Sequence, residues 1–235
     1  MNQNLNIQEM AIAIAAQKNN PTILTPDFLK YSGIVPSEWE LAKPPILTNT
    51  AAQVTFQNGI TVIADPNRII FAQVISPQKN QGGEIAGIAH KYVHALPQLN
   101  YKGISITFRG HVPFSDSENS ARDYIFKTLL NSGPWLEYGT SPVVAALRFM
   151  YNQQGVQMSL DVNEAVMQLP DKTSKNVVVF TANCLHPVKP EDENQNLQVL
   201  TQIIDNWEND LHMYREVVNT KFLQPLDNVI NFNHP

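Results

Sequence analysis

Apolar and polar residues alternate along several short runs of the chain, and this alternation predicts strands. The first two runs, 54–56 and 60–62, are separated by Asn58 and Gly59. That dipeptide is a strong hairpin signal, because both residues adopt positive φ at low cost. The other predicted strands lie at 69–75, 103–109, 143–151, 156–168 and 177–180.

Apolar residues at helical spacing predict helices between these strands. Residues 84–96 place their apolar side chains on one face. Ser115 and Glu118 form a capping-box pair for a helix that ends near Leu130. Residues 7–18 are rich in alanine and are predicted to form a short helix as well.

The last predicted helix, 190–225, carries the clearest pattern in the chain. Its apolar side chains recur at alternating spacings of three and four residues: Leu197, Leu200, Ile204, Trp207, Leu211, Tyr214 and Val218. Such a stripe can pack across a sheet or form a coiled-coil interface between two copies of the chain. Ile203, Met213 and Val217 widen it beyond a strict seam, which favours packing on the sheet.

These elements together predict an α+β fold. We expect a mainly antiparallel, twisted sheet of about six or seven strands, with helices on one face and a long C-terminal helix crossing it. Residues 1–50 contain few periodic apolar positions and are expected to form an N-terminal arm that wraps the outside. Residues 51–235 are expected to form a single domain.

A repeated sequence pattern leads to the hypothesis that the domain contains two related halves. Segments 59–67 and 155–163 share Gly, Asp and Asn at an offset of 96 residues, and each follows a strand of similar pattern. A duplication would place the halves at about 51–140 and 141–224. The alternative is that two unrelated hairpins share this common pattern.

Composition and charge exclude several classes of protein. The chain has 235 residues, 43% of them hydrophobic, so it is neither disordered nor collagenous. Its 41 side-chain amides outnumber its 37 charged side chains, which predicts a weakly charged surface. The formal net charge is −5, and residues 190–235 hold 2 basic and 8 acidic residues. We therefore do not expect a nucleic acid as partner.

The remaining sequence features favour a cytoplasmic protein. Cys184 is the only cysteine, so no intrachain disulfide is expected. The N-terminus lacks the basic region of a signal peptide, and no apolar stretch approaches the roughly 20 residues of a membrane helix. A membrane is therefore not expected as a partner.

Two segments of the chain carry a resemblance: Leu24 to Ala42, LTPDFLKYSGIVPSEWELA, and Phe108 to Phe114, FRGHVPF. They resemble an uncharacterised family of hypothetical proteins associated with cyanobacteria. The resemblance extends over most of the chain, from Pro21 to about Val188. It implies a bacterial cytoplasmic protein and supplies no activity, cofactor or catalytic residue.

His90 and His94 are the first candidate for chemistry, as a metal site. Their i,i+4 spacing lets two imidazoles share a metal from one face of a helix. Lys91 stands where a zinc metalloprotease needs its general-base Glu, so that class is excluded. Both histidines fall opposite the apolar face of helix 84–96, and two surface histidines are the alternative. No cofactor is predicted.

Two further groupings combine histidine with carboxylates or a thiol. Glu208, His212 and Glu216 follow one another at i,i+4 spacing, which fits a divalent ion or, preferably, stabilising surface pairs. Cys184 and His186 lie two apart on a predicted strand, so their side chains run parallel rather than meeting. A buried structural cysteine is therefore the better interpretation.

A polar strand end and an apolar groove are the candidate ligand sites. Arg109 lies opposite the apolar face of its strand, and with His111 and Asp116 it can form a polar site. The alternative is an arginine that pairs with an acidic neighbour. Trp207 marks the second place, a groove between the sheet and the last helix, because apolar pockets form between layers.

The sequence favours a non-catalytic binding or protein-interaction protein. Its partner would be a second copy, through the C-terminal helix, or another protein. The alternative is an enzyme or small-ligand-binding protein whose site is assembled around Arg109 and His111, with Asp65 or Asp161 contributing.

Overall fold

A nine-stranded antiparallel sheet forms the body of the molecule in the computed structural model, which describes residues 4–75, 83–114, 120–153, 155–169, 171–188 and 193–224. The strands are β1 (Asn6–Gln17), β2 (Ile46–Leu47), β3 (Ala52–Thr55), β4 (Ile60–Asp65), β5 (Arg68–Val74), β6 (Asn100–Pro113), β7 (Ala146–Gln153), β8 (Val156–Gln168) and β9 (Ser174–Pro187). The α+β class and the antiparallel sheet are confirmed. The expected six or seven strands are too few.

Five α-helices accompany the sheet in the described ranges. They are α1 (Pro26–Tyr31), α2 (Gly83–Ala95), α3 (Ser120–Asp123), α4 (Glu193–Asp205) and α5 (Trp207–Glu216). Single π-helical turns follow α3 at Tyr124–Leu129 and α5 at Val217–Phe222. The predicted helix at 84–96 is confirmed as α2. The capping-box residues Ser115 and Glu118 lie outside the described residues.

The first strand corrects the prediction for the N-terminal segment. Residues 7–18 were expected to be a helix in an outer arm, but β1 is the fifth of nine strands and pairs with β5 and β6. Both predictions are wrong for this segment. Burial alternates strictly along β1, with Met10, Ile12 and Ile14 fully buried, and this period of two overrides the helix propensity of its alanines.

The order of the strands is symmetric about the central pair. Outward from β1 lie β5, β4 and β3, and outward from β6 lie β9, β8 and β7; the two-residue strand β2, at the edge beyond β3, has no counterpart among the described strands. Ile12 pairs with Ile106 at the centre. Gly59 and Gly155 occupy equivalent hairpins, with φ of 88° and 83°. In this symmetry β1, β5, β4 and β3 correspond to β6, β9, β8 and β7. The division into two related halves, and its boundary near residue 140, stay predictions.

All five helices lie on one face of the sheet, and the core lies between. Tyr92 of α2 packs edge-on against Phe71 of β5 at 5.4 Å, and Tyr214 of α5 stacks on Phe108 of β6 at 5.8 Å. The Tyr214 hydroxyl donates to the Phe180 carbonyl at 2.8 Å. Gly110 permits this approach, because a Cβ there would lie 3.0 Å from the Tyr214 hydroxyl.

The predicted single C-terminal helix is wrong in its continuity. It breaks at Asn206, where φ is −97° and ψ is 19°, and the Asn206 side chain donates to the Gln202 carbonyl at 2.8 Å. The predicted ends near 190 and 225 lie outside the described residues. No described helix has the length and apolar character needed to cross a bilayer.

Packing of the apolar stripe on the sheet is confirmed. Six of its seven side chains are buried: Leu200, Ile204, Trp207, Leu211, Tyr214 and Val218. These six side chains are therefore part of the core and are not presented at the surface. Self-association through the C-terminal helix stays a prediction.

The predicted hairpin at Asn58 is confirmed, with a different turn. Only Gly59 has positive φ, and its N–H donates to the Phe56 carbonyl at 3.1 Å. The loop is therefore a three-residue turn that ends in a left-handed glycine, a common hairpin alternative to the two-residue turn.

The central position of β1 predicts an asymmetric response to substitution. Ile12→Ala removes a fully buried side chain beside Ile106 and should lower the free energy of unfolding by about 2–5 kcal/mol. Ala13→Ser, on the opposite face of β1, should change it by less than about 0.5 kcal/mol. Urea unfolding measures both; equal effects would contradict the placement of β1.

Candidate functional site

A groove of about 740 Å³ opens between the end of β5, the start of α2 and one side of α5. It lies where the sequence predicts a cavity, between the sheet and the helix that carries Trp207. The described residues that line it are Asn58, Gln73, Val74, Gly83, Glu84, Trp207, Glu208, Leu211, His212 and Arg215.

Helix α5 supplies half of these residues because of its periodicity. Trp207 and Leu211 belong to the apolar stripe and form the wall next to the core. Glu208 and His212 follow each of them by one residue and are exposed on the flank that faces the groove. Across the groove, Gly83 at the start of α2 faces Trp207, and a Cβ there would be in ordinary van der Waals contact, 3.8 Å from Cζ2 of Trp207.

Gln73 is the most unusual residue of the groove. The preceding inward-facing residues of β5, Ile69 and Phe71, are fully buried, and Gln73 continues their face with only 6% exposure. Its Nε2 donates to Oε2 of Glu84 at 3.1 Å. Its Oε1 is buried and accepts no hydrogen bond from the described residues. A buried acceptor without a donor costs about 1–3 kcal/mol.

Charged groups of both signs surround this amide. Glu84 and Glu208 contribute carboxylates, Arg215 contributes a guanidinium, and His212 contributes an imidazole. None of the described lining residues is a serine, threonine, cysteine or lysine, so the groove offers hydrogen bonds and charge rather than a ready nucleophile.

The predicted polar site around Arg109 is assembled only in part. Arg109 and His111 both lie on the outer face of β6, away from the helices. Arg109 lines a second concavity, of about 480 Å³, with Glu9, Thr107 and Thr181 among its neighbours. His111 is not among the described residues that line it, and Asp116 lies outside the described residues.

Within the described residues, Arg109 does not form the ion pair with an acidic neighbour that the alternative interpretation expected. Glu9 is its cross-strand partner on β1, but no carboxylate of the described residues makes an ion pair with it. The two aspartates expected to join this site are used elsewhere. Asp65 pairs with Arg68 at 2.8 Å, and Asp161 holds Arg148 through two hydrogen bonds of 2.6 and 2.8 Å.

The two histidines of α2 stack on each other instead of converging on one point. The rings of His90 and His94 lie 4.6 Å apart at 29°. Nδ1 of His90 bonds Oδ1 of Asp205 at 2.8 Å, which ties α2 to α4. The described residues contain no group of three or more potential ligands among histidine, cysteine and acidic side chains. The metal hypothesis gains no third ligand there.

Cys184 and His186 both meet α5, through a residue that the sequence analysis missed. Nε2 of His186 lies 2.7 Å from Oδ2 of Asp210, and the Asp210 side chain is only 6% exposed. Burial, with the nearby Asp210 charge, raises the pKa of the Cys184 thiol far above its ordinary value. The thiol is therefore protonated and suits a structural role. An aspartate on the buried side of the α5 stripe was the available signal.

Comparison with known proteins adds no assignment. No family model matches the chain, and no curated protein sequence is significantly similar to it. The resemblance to hypothetical proteins of cyanobacterial type stays a prediction.

Replacing the orphaned amide tests whether its acceptor is unsatisfied. Gln73→Leu removes the buried oxygen and leaves Glu84, which is exposed, to water, so the free energy of unfolding should rise by about 1 kcal/mol. Gln53→Leu is the matched control, because Gln53 is half-buried on β3 and donates to Thr55. A loss of stability in Gln73→Leu that Gln53→Leu does not share would contradict an unsatisfied Oε1.

His111 should make stability depend on pH. Its Nδ1 is buried without a partner among the described residues, and burial lowers the pKa of His111 below its ordinary value of 6.5. The unfolded chain then binds the proton more tightly, so stability is full above about pH 6.5 and falls as the pH drops below it.

Thermal melts of wild type and His111→Gln across this range measure the effect. The fall in Tm between high and low pH should be smaller for His111→Gln than for wild type. For His212→Gln, at an exposed histidine, it should be the same as for wild type. Parallel curves for wild type and His111→Gln would overturn the assignment.

Proposed function

We propose that this chain is a non-catalytic binding protein whose groove between β5, α2 and α5 takes a small organic ligand. The observation that carries the proposal is the convergence of polar groups from three elements on one concavity with an apolar wall. A volume of about 740 Å³ falls within the roughly 300–1,000 Å³ typical of sites for small ligands.

The groove combines apolar surface with directional polar groups, which supports ligand binding. Trp207 and Leu211 offer apolar surface, which provides affinity without strong directionality. Gln73, Glu84 and Glu208 supply directional groups that would fix the orientation of a ligand. The walls belong to the core elements β5 and α5, so the site is largely formed before a ligand arrives.

The chemistry of the lining argues for binding rather than covalent catalysis. A covalent mechanism needs a nucleophile beside a base, and the described lining provides His212 and carboxylates without such a nucleophile. Cys184, the only cysteine of the sequence, is fully buried and is not among the described residues that line the groove.

A small-ligand site around Arg109 is the second candidate. Its support is a guanidinium, with no ion pair among the described residues, in a concavity of about 480 Å³ that also holds Thr107 and Thr181. It is smaller than the groove, and its expected partners His111 and Asp116 are not shown to join it. We therefore rank it second.

Filling the groove should abolish binding without disturbing the fold. His212 is exposed on α5, so His212→Trp adds bulk to the groove and leaves the core intact. Ligands found in a thermal-shift screen of metabolites should stabilise wild type and His212→Ala but not His212→Trp. Asn209→Trp, at an exposed position outside the lining, controls for the added indole.

Arg109→Ala separates the two candidate sites in the same screen. The proposal expects stabilisation by each ligand to survive in Arg109→Ala and to vanish in His212→Trp. The opposite result would move the site to the outer face of the sheet. If no ligand in a broad screen binds wild type, the binding function itself fails.

A further inference from the structure

The orientation of the Gln73 amide is fixed by its neighbour. Glu84 offers only acceptor atoms when ionised, so the amide must turn its NH₂ group toward Oε2 of Glu84, 3.1 Å away. The carbonyl oxygen must then face the other way. In a residue with 6% exposure that lines the groove, this leaves a buried acceptor that the described residues do not satisfy.

The groups around this acceptor also favour a donor. Glu84 and Glu208 both line the groove, and carboxylates accept hydrogen bonds without offering any. Glu84 accepts through Oε2 from Gln73. Three acceptor groups on two sides of one groove call for a ligand with several N–H or O–H groups.

Charge decides which kind of donor fits. The positive end of α2 would favour an anion, but Glu84 stands in the first turn of that helix and offsets it. Arg215 is the one guanidinium of the described lining, against two carboxylates. An anion would have to sit beside Glu84 and Glu208, whereas a cation would pair with them.

We propose that the groove binds an organic cation that donates N–H hydrogen bonds, an alkylguanidinium or alkylammonium group on an apolar stem. Its N–H groups bond Oε1 of Gln73 and the carboxylates of Glu84 and Glu208. Its stem lies on Trp207 and Leu211. This inference rests on the proposed function and adds the chemical class of the ligand.

The direct test compares ligands of the same shape that differ in charge and donors. Butylguanidinium and butylammonium should bind, measured by calorimetric titration of the full chain. Butylurea keeps the planar shape of butylguanidinium but lacks the charge and has a carbonyl acceptor in place of one NH₂ group, so it should bind at least about tenfold more weakly. Butyltrimethylammonium keeps the charge and the butyl stem of butylammonium without N–H donors and should also bind at least about tenfold more weakly.

Variants locate the binding in the groove. Glu208→Gln removes a carboxylate at an exposed position and should raise the Kd of butylguanidinium by about tenfold. Glu216→Gln is the matched control, since Glu216 is exposed on the same helix outside the groove lining, and it should leave the Kd unchanged. Gln73→Leu should weaken binding by about tenfold while its unliganded Tm does not fall.

A peptide ligand distinguishes an arginine side chain from a free small molecule as the source of the cation. Acetyl-Gly-Arg-Gly-amide presents the same guanidinium on a chain. Binding at least as tight as butylguanidinium assigns the site to an arginine side chain of a peptide, and weaker binding assigns it to a free small molecule.

Other outcomes overturn the inference, and they separate it from the proposed function. Equal binding of butylurea and butylguanidinium would show that charge is not recognised. Binding of anionic or neutral metabolites that His212→Trp blocks, with no binding of either alkyl cation, would reject the cation and keep the groove as a site. If neither the cations nor any screened ligand bind, both proposals fail.

Discussion

The antiparallel pair of β1 and β6 is the interaction on which the other elements depend. These are two of the four longest strands, and the remaining seven are added outward from them, four beyond β1 and three beyond β6. Ile12 and Ile106 meet at the centre of the pair, both without measurable exposure. The first strand of the chain must therefore find a partner about 94 residues away, which makes this contact costly in chain entropy and cooperative in its consequences.

A sheet built in this way has one face to bury, and the helices supply the cover. Each helix packs where its apolar stripe meets the inward residues of the strands, as Tyr214 does on Phe108. The cover is not continuous. Helix α4 ends at Asp205 and α5 restarts after Asn206, and a gap remains between α5, the start of α2 and the end of β5. The groove lies at this place, and an amide stands there in the position of a core residue.

Local patterns predict the elements whose signals depend on near neighbours. Three predicted elements are present in the structure because turn chemistry and periodicity determine them: the hairpin at Gly59, the helix at 84–96 and the buried stripe from Leu200 to Val218. The helix prediction for residues 7–18 is wrong for a physical reason. Their alanines favour a helix, while the alternating Met10, Ile12 and Ile14 favour a strand, and only pairing on both sides decides between the two.

The site is less predictable than the fold, because its contacts join distant segments. Trp207 could be placed beside a groove from the stripe alone, but the bond from Gln73 to Glu84 depends on how β5 meets α2. Asp210 and His186 lie on different elements and come together only when α5 crosses the sheet. The sequence analysis used neither Gln73 nor Asp210; the available signal was a polar residue on the buried face of a strand or helix.

A crystal structure of the chain with butylguanidinium measures the central claim most directly, namely that the groove holds an acceptor ready for a ligand. The account predicts the guanidinium in the groove, with an N–H nitrogen about 2.7–3.2 Å from Oε1 of Gln73 and a second nitrogen on a carboxylate of Glu84 or Glu208. The contrary result is an empty groove in which Oε1 of Gln73 accepts a hydrogen bond from the protein itself.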